Sequence, residues 1–282
     1  IIVIGKPVII PENAIPYKEL LMNETLAVIQ NRRSTRKYAD TTITAEEKDA
    51  ILNAAMRAPT AGNMMLYTII EVEDQALKDR LAVTCDNQPF IASAPYVLLF
   101  LADYQRWVDA FDWSGAPQMG IDQGLHPRLP QEGDLMLACC DALIAAQTAV
   151  IAAESLGIGS CYIGDILENC EEHRAMFNLP RFTFPITLVC FGRPFATREH
   201  SRLIRRFERR FIVHRDRYEA VETHDFPALL EHAVQQFPNL QPGDAAMKAV
   251  QGIYTRKFVS AFSVEMTRSV KQWMSIWNGE AE

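Results

Sequence analysis

The segment Arg32–Tyr38 is the part of this sequence best suited to bind an anion. It reads Arg-Arg-Ser-Thr-Arg-Lys-Tyr, which places three arginines, a lysine and a serine at the end of a predicted helix. The 282-residue chain carries a formal net charge of -7, so this cluster opposes the overall charge. Guanidinium groups match phosphate geometry, and each charge-assisted hydrogen bond contributes about 1.5–3 kcal/mol. The segment predicts either a site for a phosphate monoester or a solvated basic turn.

A second basic segment lies far along the chain, between residues 202 and 217. It contains seven arginines: Arg202, Arg205, Arg206, Arg209, Arg210, Arg215 and Arg217. Such a segment is typical of a solvated surface or of an arginine-rich arm that contacts RNA. The acidic remainder of the chain, without a recognisable aromatic stacking platform, argues against nucleic acid. The two basic segments would serve one phosphate if the fold brings them together.

Apolar periodicity and turn residues predict the elements that position these groups. Thr44 and Glu47 form a capping box, and Pro59–Asn63 reads as a turn. In chain order we expect helices over 18–31, 45–56, 76–83 and 134–157, strands over 66–72, 96–102 and 186–191, and a long loop over 110–131. Helices and strands alternate irregularly and without repeats, which indicates an α+β fold.

The helix predicted between Asp134 and Gly157 is apolar on nearly every side, with Asp134 as its expected cap. A helix of this kind lies in a core or in a subunit interface. The polar residues Asp141, Gln147 and Glu154 argue against a membrane span. The apolar first ten residues are too short to span a bilayer and lack a signal-peptide pattern. We therefore expect a cytoplasmic protein that does not enter membranes.

Two other patterns exclude common sites. The glycines of Gly157–Gly164 follow a predicted helix, whereas a dinucleotide-binding loop follows a strand, so a Rossmann site is not expected. The six cysteines form no C-x-x-C pair and have no histidine at a ligand spacing, so we expect reduced, structural thiols and no metal. The six histidines are scattered, and no catalytic triad or carboxylate pair stands out.

Four segments, in their order along the chain, resemble those of the FMN-dependent nitroreductase family. They are Arg32–Tyr38, Ala58–Asn63, Gly157–Gly164 and the late basic segment Arg205–Phe207 with Ile212–His214 and Tyr218. Gln88 also stands where some members place a glutamine on the flavin. The resemblance covers residues 24–218. One departure is Met65, which stands where the family has a polar residue and puts the substrate preference and flavin potential in question.

The resemblance implies a role for each matched residue. The phosphate of FMN would be held by Arg32, Ser34, Arg36 and Arg206, with Arg33 and Arg205 assisting and Arg206 preferred over Arg205. Pro59, Thr60, Ala61, Asn63, Met65 and Gln88 would lie at the ring, and Asn63 and Gln88 would bond its polar edge. Tyr162, Ile163, Gly164 and Asp165 would line one ring face and offer backbone N–H groups near N5.

The resemblance also implies an α+β nitroreductase-like fold, with a mixed or antiparallel sheet flanked by helices, and an activity. The activity would be NAD(P)H oxidation with reduction of a nitroaromatic, quinone or related small molecule, by a ping-pong two-electron route. The alternatives are a specialised relative that reduces flavin, an enone or a halotyrosine, and a non-catalytic FMN- or RNA-binding protein.

The family further implies a homodimer. We expect an N-terminal extension over 1–23, the FMN-binding domain over 24–218, and a helical dimer arm over 219–282. In the arm, Phe258, Phe262, Met266, Val270 and Met274 recur every four residues, and Trp273 and Trp277 flank the stripe. The other possibility is that this tail covers its own subunit.

Overall fold

The computed structural model describes residues 23–195, 203, 206–234, 237 and 239–281. The described helices are α1 (Glu24–Asn31), α2 (Ala45–Met56), α3 (Gln75–Thr84), α4 (Gln105–Ser114), α5 (Ala116–Asp122), α6 (Glu132–Ser155), α7 (Cys170–Met176), α8 (Phe226–Leu229), α9 (Glu231–Val234), α10 (Pro242–Ile253) and α11 (Ala261–Asn278). The described strands are β1 (Tyr67–Glu71), β2 (Tyr96–Asp103), β3 (Gly159–Ile163) and β4 (Thr183–Gly192).

The four described strands form one sheet in the order β1-β2-β4-β3, and all three pairings are antiparallel. The strands predicted over 66–72, 96–102 and 186–191 are confirmed, whereas β3 was not predicted. It lies within the glycine segment Gly157–Gly164, where neither a helix nor a strand was predicted beyond Gly157. Ser160, Cys161 and their neighbours pair with Phe191 and Cys190 of β4, which gives this short segment its extended form.

Helices cover both faces of the sheet, so β2 is buried along its whole length. Leu98 and Phe100 belong to a core with α2 and α6 on one face. Val97, Leu99 and Leu101 belong to a core with α3 and α11 on the other. The alternation follows from the strand geometry, since successive side chains point to opposite faces. The predicted α+β class is confirmed.

The long helix α6 packs along α2 and the sheet, and it positions much of the site described below. It begins at Glu132 with Gln131 as its N-cap, three residues before the cap expected at Asp134. The Asp134 carboxylate accepts the Gln131 N–H at 2.9 Å, so it bonds back to the cap residue instead of being the cap. Gly157 follows the helix with φ of 72°, the left-handed conformation that closes many helices.

By length and apolar composition α6 could cross a membrane, and it is the only such helix among the described residues. Half of its most apolar stretch is buried inside the protein. A core helix has the same composition, because a helix covered on several sides needs apolar residues on all of them.

The loop predicted over 110–131 was wrong for much of its length, since α4 and α5 occupy 105–122. Gly115 has φ of 68° and closes α4, and Pro117 lies in the first turn of α5. Glycine after a helix and proline at the next helix start are favourable positions for both residues. Read along the sequence, the same two residues looked like loop formers.

The C-terminal helix α11 packs on the chain's own core. Trp273 and Trp277 are each 1% exposed, and their rings lie 5.7 Å from Phe184 and 5.4 Å from Phe182. Phe258, at the other end of the predicted stripe, is 71% exposed and lies in a π-helical turn before α11. The tryptophan side of the tail therefore covers its own subunit. The domain boundaries at 23 and 218 stay an interpretation.

Candidate functional site

The arginine segment is attached to the sheet through β3. Ser34 and Ser160 form a parallel bridge, and the Thr35 N–H donates to the Ser160 carbonyl at 2.8 Å. Tyr38 forms an antiparallel bridge with Pro194 just after β4. These backbone contacts fix the spacing of the segment, so that its side chains stand beside β3, which ends at Ile163 just before Gly164.

The charges of Arg32 and Arg36 act on residues of β3. Burial raises the pKa of Cys161, and the guanidinium groups of Arg36 and Arg32 oppose that rise. Burial also raises the pKa of Tyr162 to about 12, against the opposing charge of Arg32. Both arginines therefore lie close to the same strand. Ser34 and Arg36 are exposed, and Arg32 is half-buried, so donors for an anion are available here.

Arg33 is half-buried, and its guanidinium Nε is not accessible to solvent. Arg206 is exposed on the loop before the short helical turn Arg209–Phe211, and Arg205 lies outside the described residues. The expected convergence of the two basic segments on one phosphate stays a prediction.

The turn predicted at Pro59–Asn63 adopts an uncommon backbone. Gly62, Asn63 and Met65 have φ of 56°, 58° and 50°, in the left-handed region. Glycine and asparagine tolerate this region, whereas a methionine there is held at a cost of about 1–3 kcal/mol. The consequence is a compact turn in which Asn63 is exposed, while Thr60, Ala61 and Met65 are half-buried and Pro59 is exposed at its start.

The carboxylate of Asp141 holds this turn from inside. Asp141 lies on α6, is 3% exposed, and accepts hydrogen bonds from the Thr60 hydroxyl and the backbone N–H groups of Ala61 and Leu66. The sequence marked Asp141 only as a polar interruption of an apolar helix. A carboxylate within an apolar helix was the only sequence signal of this contact, because a buried carboxylate needs hydrogen-bond partners.

Gln88 also follows a left-handed turn, formed by Asp86 and Asn87 with φ of 57° and 51°. Its amide Nε2 donates to the Asp165 carboxylate at 2.8 Å and to the Cys85 carbonyl at 2.9 Å. The structure thus brings Gln88 and Asp165 together, although 77 residues separate them. With both amide hydrogens engaged, the side-chain oxygen Oε1 of Gln88 remains for a ligand donor.

The end of β3 presents backbone to open space. A Cβ placed on Gly164 would meet no atom within 4 Å, so packing within the described protein does not require this glycine. Ile163 is 1% exposed and its side chain belongs to the core, so only its backbone can serve a ligand. The Tyr162 hydroxyl donates to Gln147 of α6 at 3.2 Å. The open position suits a flat ring that approaches the backbone closely.

Two buried titratable groups support the short helical turn Gly164–Leu167. His173 is fully buried between the Ile166 carbonyl, at 3.0 Å, and the Thr84 hydroxyl, at 2.8 Å. Burial lowers the pKa of His173, so the ring is neutral and its Nδ1–H donates to Ile166. Burial and the adjacent Asp165 raise the pKa of Glu168 to about 7.

The sequence matches the nitroreductase family over residues 29–193, more than half of the chain. The chain belongs to the nitroreductase family. It is 34% identical over 173 residues to a Bacillus subtilis protein named FMN reductase [NAD(P)H], a match covering 61% of this chain and 67% of that protein. It is 27% identical over 201 residues to a Salmonella typhimurium oxygen-insensitive NADPH nitroreductase, covering 71% and 77% of the two chains.

Solved structures of the nitroreductase family have the same fold. The structure of NfrA2 from B. megaterium has a TM-score of 0.69 and 27% identity, and the match covers 88% of this chain and 98% of that one. NfrA1 nitroreductase from B. subtilis has a TM-score of 0.69 and 26% identity, over 89% and 98% of the two chains. The predicted family, fold and class of enzyme, an FMN-dependent NAD(P)H oxidoreductase, are confirmed.

The candidate site described above has features suited to FMN at both ends. Arginine and serine side chains stand beside β3 as donors for a phosphate, and Gly164 leaves open space for a ring. Individual contacts of the predicted site residues with FMN stay predictions. Among the described residues, no group of three His, Cys, Asp or Glu side chains is arranged to hold a metal.

Proposed function

We propose that this nitroreductase reduces small aromatic acceptors, such as nitroaromatics and quinones, with NAD(P)H as the donor. The observation that carries this proposal is the bridge between Ser34 and Ser160, which joins the arginine segment to β3, the strand that immediately precedes the open position at Gly164. FMN would lie with its phosphate at Arg32, Ser34 and Arg36. Its ring would extend between the Thr60–Met65 turn and Tyr162–Asp165.

Bound FMN supplies hydride transfer between the nicotinamide and the acceptor. The residues of the chain bind and orient the partners. The arginines neutralise the phosphate, Asn63 and Gln88 meet the polar ring edge, and the backbone at Gly164 approaches the ring. His173 takes no direct part, because both ring nitrogens are engaged by Ile166 and Thr84 inside the protein.

The phosphate contacts are tested by comparing FMN with riboflavin, which lacks the phosphate. Arg36→Ala removes one charge-assisted contact of about 1.5–3 kcal/mol, so FMN should bind roughly tenfold or more weakly. Riboflavin affinity should change little. Quenching of flavin fluorescence measures both dissociation constants. Lys37→Ala is the matched control, since it removes an adjacent exposed positive charge. Equal losses for FMN and riboflavin would contradict the assignment.

A shared ring face for nicotinamide and acceptor implies ping-pong kinetics. Only one of two planar molecules can stack on the exposed face of the bound flavin ring, so donor and acceptor would bind in turn. Initial rates at several fixed acceptor concentrations should give parallel double-reciprocal plots. Intersecting plots, with a ternary complex detected by trapping, would exclude the shared face.

Reduction of free flavin is a second candidate function. It is favoured by the two relatives with 34% and 33% identity, whose names are FMN reductase [NAD(P)H] and FMN reductase (NADPH). Comparing kcat/KM for added FMN, a nitrobenzoate and a benzoquinone distinguishes the candidates. A value for FMN at least tenfold above the others would make flavin reduction the main activity.

We also propose a homodimer built on the outer face of α6. One side of α6 packs on the sheet, while Met136, Leu137, Leu143 and Ile144 are 65%, 45%, 42% and 40% exposed. Large apolar side chains grouped on one helix face are typical of a protein interface. A location in the cytoplasm fits the six free cysteines and remains part of the proposal.

Deleting the tail from Gly252 onward would not test the dimer cleanly, because the deletion also removes Trp273 and Trp277 from the subunit core. Leu137→Glu with Leu143→Glu is a sharper test. Light scattering should show a monomer, because charges in an apolar interface cost several kcal/mol. Val83→Glu, on an exposed position of α3, is the control. A double variant that remains dimeric would place the interface elsewhere.

A further inference from the structure

Asp141 is a buried carboxylate whose described side-chain bonds all go to one turn. It is 3% exposed on α6, and Oδ1 accepts the Ala61 N–H at 3.0 Å while Oδ2 accepts the Leu66 N–H at 3.1 Å. Oδ2 also accepts the Thr60 hydroxyl. A carboxylate in this setting is a strong acceptor, since hydrogen bonds to a charged group are about twice as strong as neutral ones.

The Thr60 hydroxyl extends this hold across the turn. It donates to Asp141 and accepts the Met65 N–H at 2.8 Å. Asp141 and Thr60 together therefore engage the N–H groups of Ala61, Met65 and Leu66, at both ends of the turn. A hydroxyl can play both parts at once because it carries one donor and two acceptor sites.

A side chain of helix α4 holds the same turn by donating a hydrogen bond to one of the carbonyl groups of the turn. Trp107 Nε1 donates to the Met64 carbonyl at 2.8 Å. Asn63 and Met64 donate their own N–H groups within the turn, to Thr60 at 3.3 Å and to Ala61 at 2.9 Å. These bonds offset the cost of the left-handed residues Asn63 and Met65. Most of the polar backbone is thus engaged inside the protein, and Asn63 is the exposed residue of the turn that carries a polar side chain.

We propose that Asp141 is a positioning residue for flavin, which sets the conformation of the Thr60–Leu66 turn and thereby aims the Asn63 amide at the flavin ring. This inference rests on the proposed placement of FMN. A carboxylate that only satisfied the core would contribute to stability without distinguishing the two ends of the flavin. A positioning role acts on the ring and leaves the phosphate contacts unchanged.

The test compares four proteins: wild type, Asp141→Asn, Asn63→Gly and the double variant. Glycine replaces Asn63 because it removes the amide and tolerates the left-handed backbone. Dissociation constants for FMN and for riboflavin are measured with each protein. Asp141→Asn should weaken both ligands by the same factor, roughly tenfold, because the ring is common to both. Arg36→Ala, in contrast, should weaken FMN alone.

The double variant decides whether Asp141 acts through Asn63. If it does, the fold loss of flavin affinity in the double variant should be smaller than the product of the fold losses in the two single variants. Fully multiplicative losses, or unchanged flavin binding in Asp141→Asn, would overturn the inference. Wild-type protein without affinity for FMN would instead contradict the proposed function, so the two failures are distinguishable.

A second pair of variants covers the case in which Asp141→Asn does not fold. Thr60→Ser keeps the hydroxyl that links Asp141 to Met65, whereas Thr60→Val removes it with little change in shape. Serine should retain near wild-type affinity for both flavins, and valine should weaken both equally. Asp74→Asn is the control, because Asp74 accepts the Ala76 and Leu77 N–H groups at the start of α3. Its flavin affinity should not change, and a serine variant as weak as valine would contradict the inference.

Discussion

The two ends of the proposed flavin site are built in opposite ways. At the phosphate end, Ser34 and Arg36 are exposed, and their backbone is fixed by pairing with β3. At the ring end, the Thr60–Leu66 turn is held in a left-handed conformation by buried groups, above all by Asp141. One end uses exposed polar and charged side chains on an ordinary backbone, and the other uses an uncommon backbone that buried groups hold in place.

The difference follows from the chemistry of the two ligand parts. A phosphate is a compact charge that several flexible donors can neutralise, so small displacements cost little. A planar ring requires hydrogen-bonding groups at fixed positions and a flat space beside them, so its site must be organised before binding. The buried Asp141 and the open position at Gly164 meet these two requirements.

The largest expected effect comes from a glycine that supports the phosphate end. A Cβ on Gly192 would lie 2.3 Å and 2.8 Å from ring atoms of Tyr38 and 2.9 Å from Pro95. Gly192→Ala should displace Tyr38 and loosen the arginine segment, with a loss of about 1–3 kcal/mol in stability. Urea unfolding measures the loss, and FMN should weaken more than riboflavin.

Gly133→Ala is the matched control for Gly192→Ala. Gly133 lies in the first turn of α6, where an added Cβ meets nothing within 4 Å. Alanine should be neutral or stabilising there, by up to about 1 kcal/mol. Equal destabilisation by the two variants would mean that the close contact between Gly192 and Tyr38 does not support the segment.

The two ends also differ in how far the sequence predicts them. The proposed phosphate end is visible in the sequence, because Arg32, Ser34 and Arg36 are close together and the positive charge of the two arginines in an acidic chain needs an explanation. The ring end depends on residues such as Asp141, which lies 80 positions from Ala61. Long-range contacts of this kind leave no local pattern. For the same reason the strand β3 was missed, since its extended form depends on pairing with β4.

A smaller effect is expected at the second support of the ring end. Trp107→Phe keeps an aromatic ring beside Phe111, whose centroid lies 5.7 Å away, but removes the bond to the Met64 carbonyl. The loss of one neutral hydrogen bond costs about 1 kcal/mol, so FMN and riboflavin should both weaken by roughly fivefold. Trp113→Phe, at a position that is 89% exposed on the same helix, is the control. A selective loss of FMN would show that Trp107 serves the phosphate end.

The smallest effect is expected at Glu168, whose buried carboxyl group beside the ring end should make the stability of the protein depend on pH. Burial, followed by the carboxylates of Asp165, Asp86 and Glu265, raises the pKa of Glu168 to about 7. An unfolded chain releases this proton near pH 4.3. Between these values the folded protein binds more protons, so the contribution of Glu168 to stability falls as pH rises.

Glu168→Gln isolates this contribution, because glutamine resembles the protonated carboxyl group and does not titrate. Relative to wild type, the variant should gain stability between pH 5 and pH 8, as the wild-type carboxyl group becomes charged beside Asp165. Urea unfolding of both proteins at the two pH values measures the gain. The pH dependence due to His173 has the opposite direction. Because the pKa of His173 is lowered in the folded protein, this residue makes wild type less stable as pH falls below about 6.5. If the stability difference between Glu168→Gln and wild type is the same at pH 5 and pH 8, burial beside Asp165 does not hold Glu168 protonated in the folded protein.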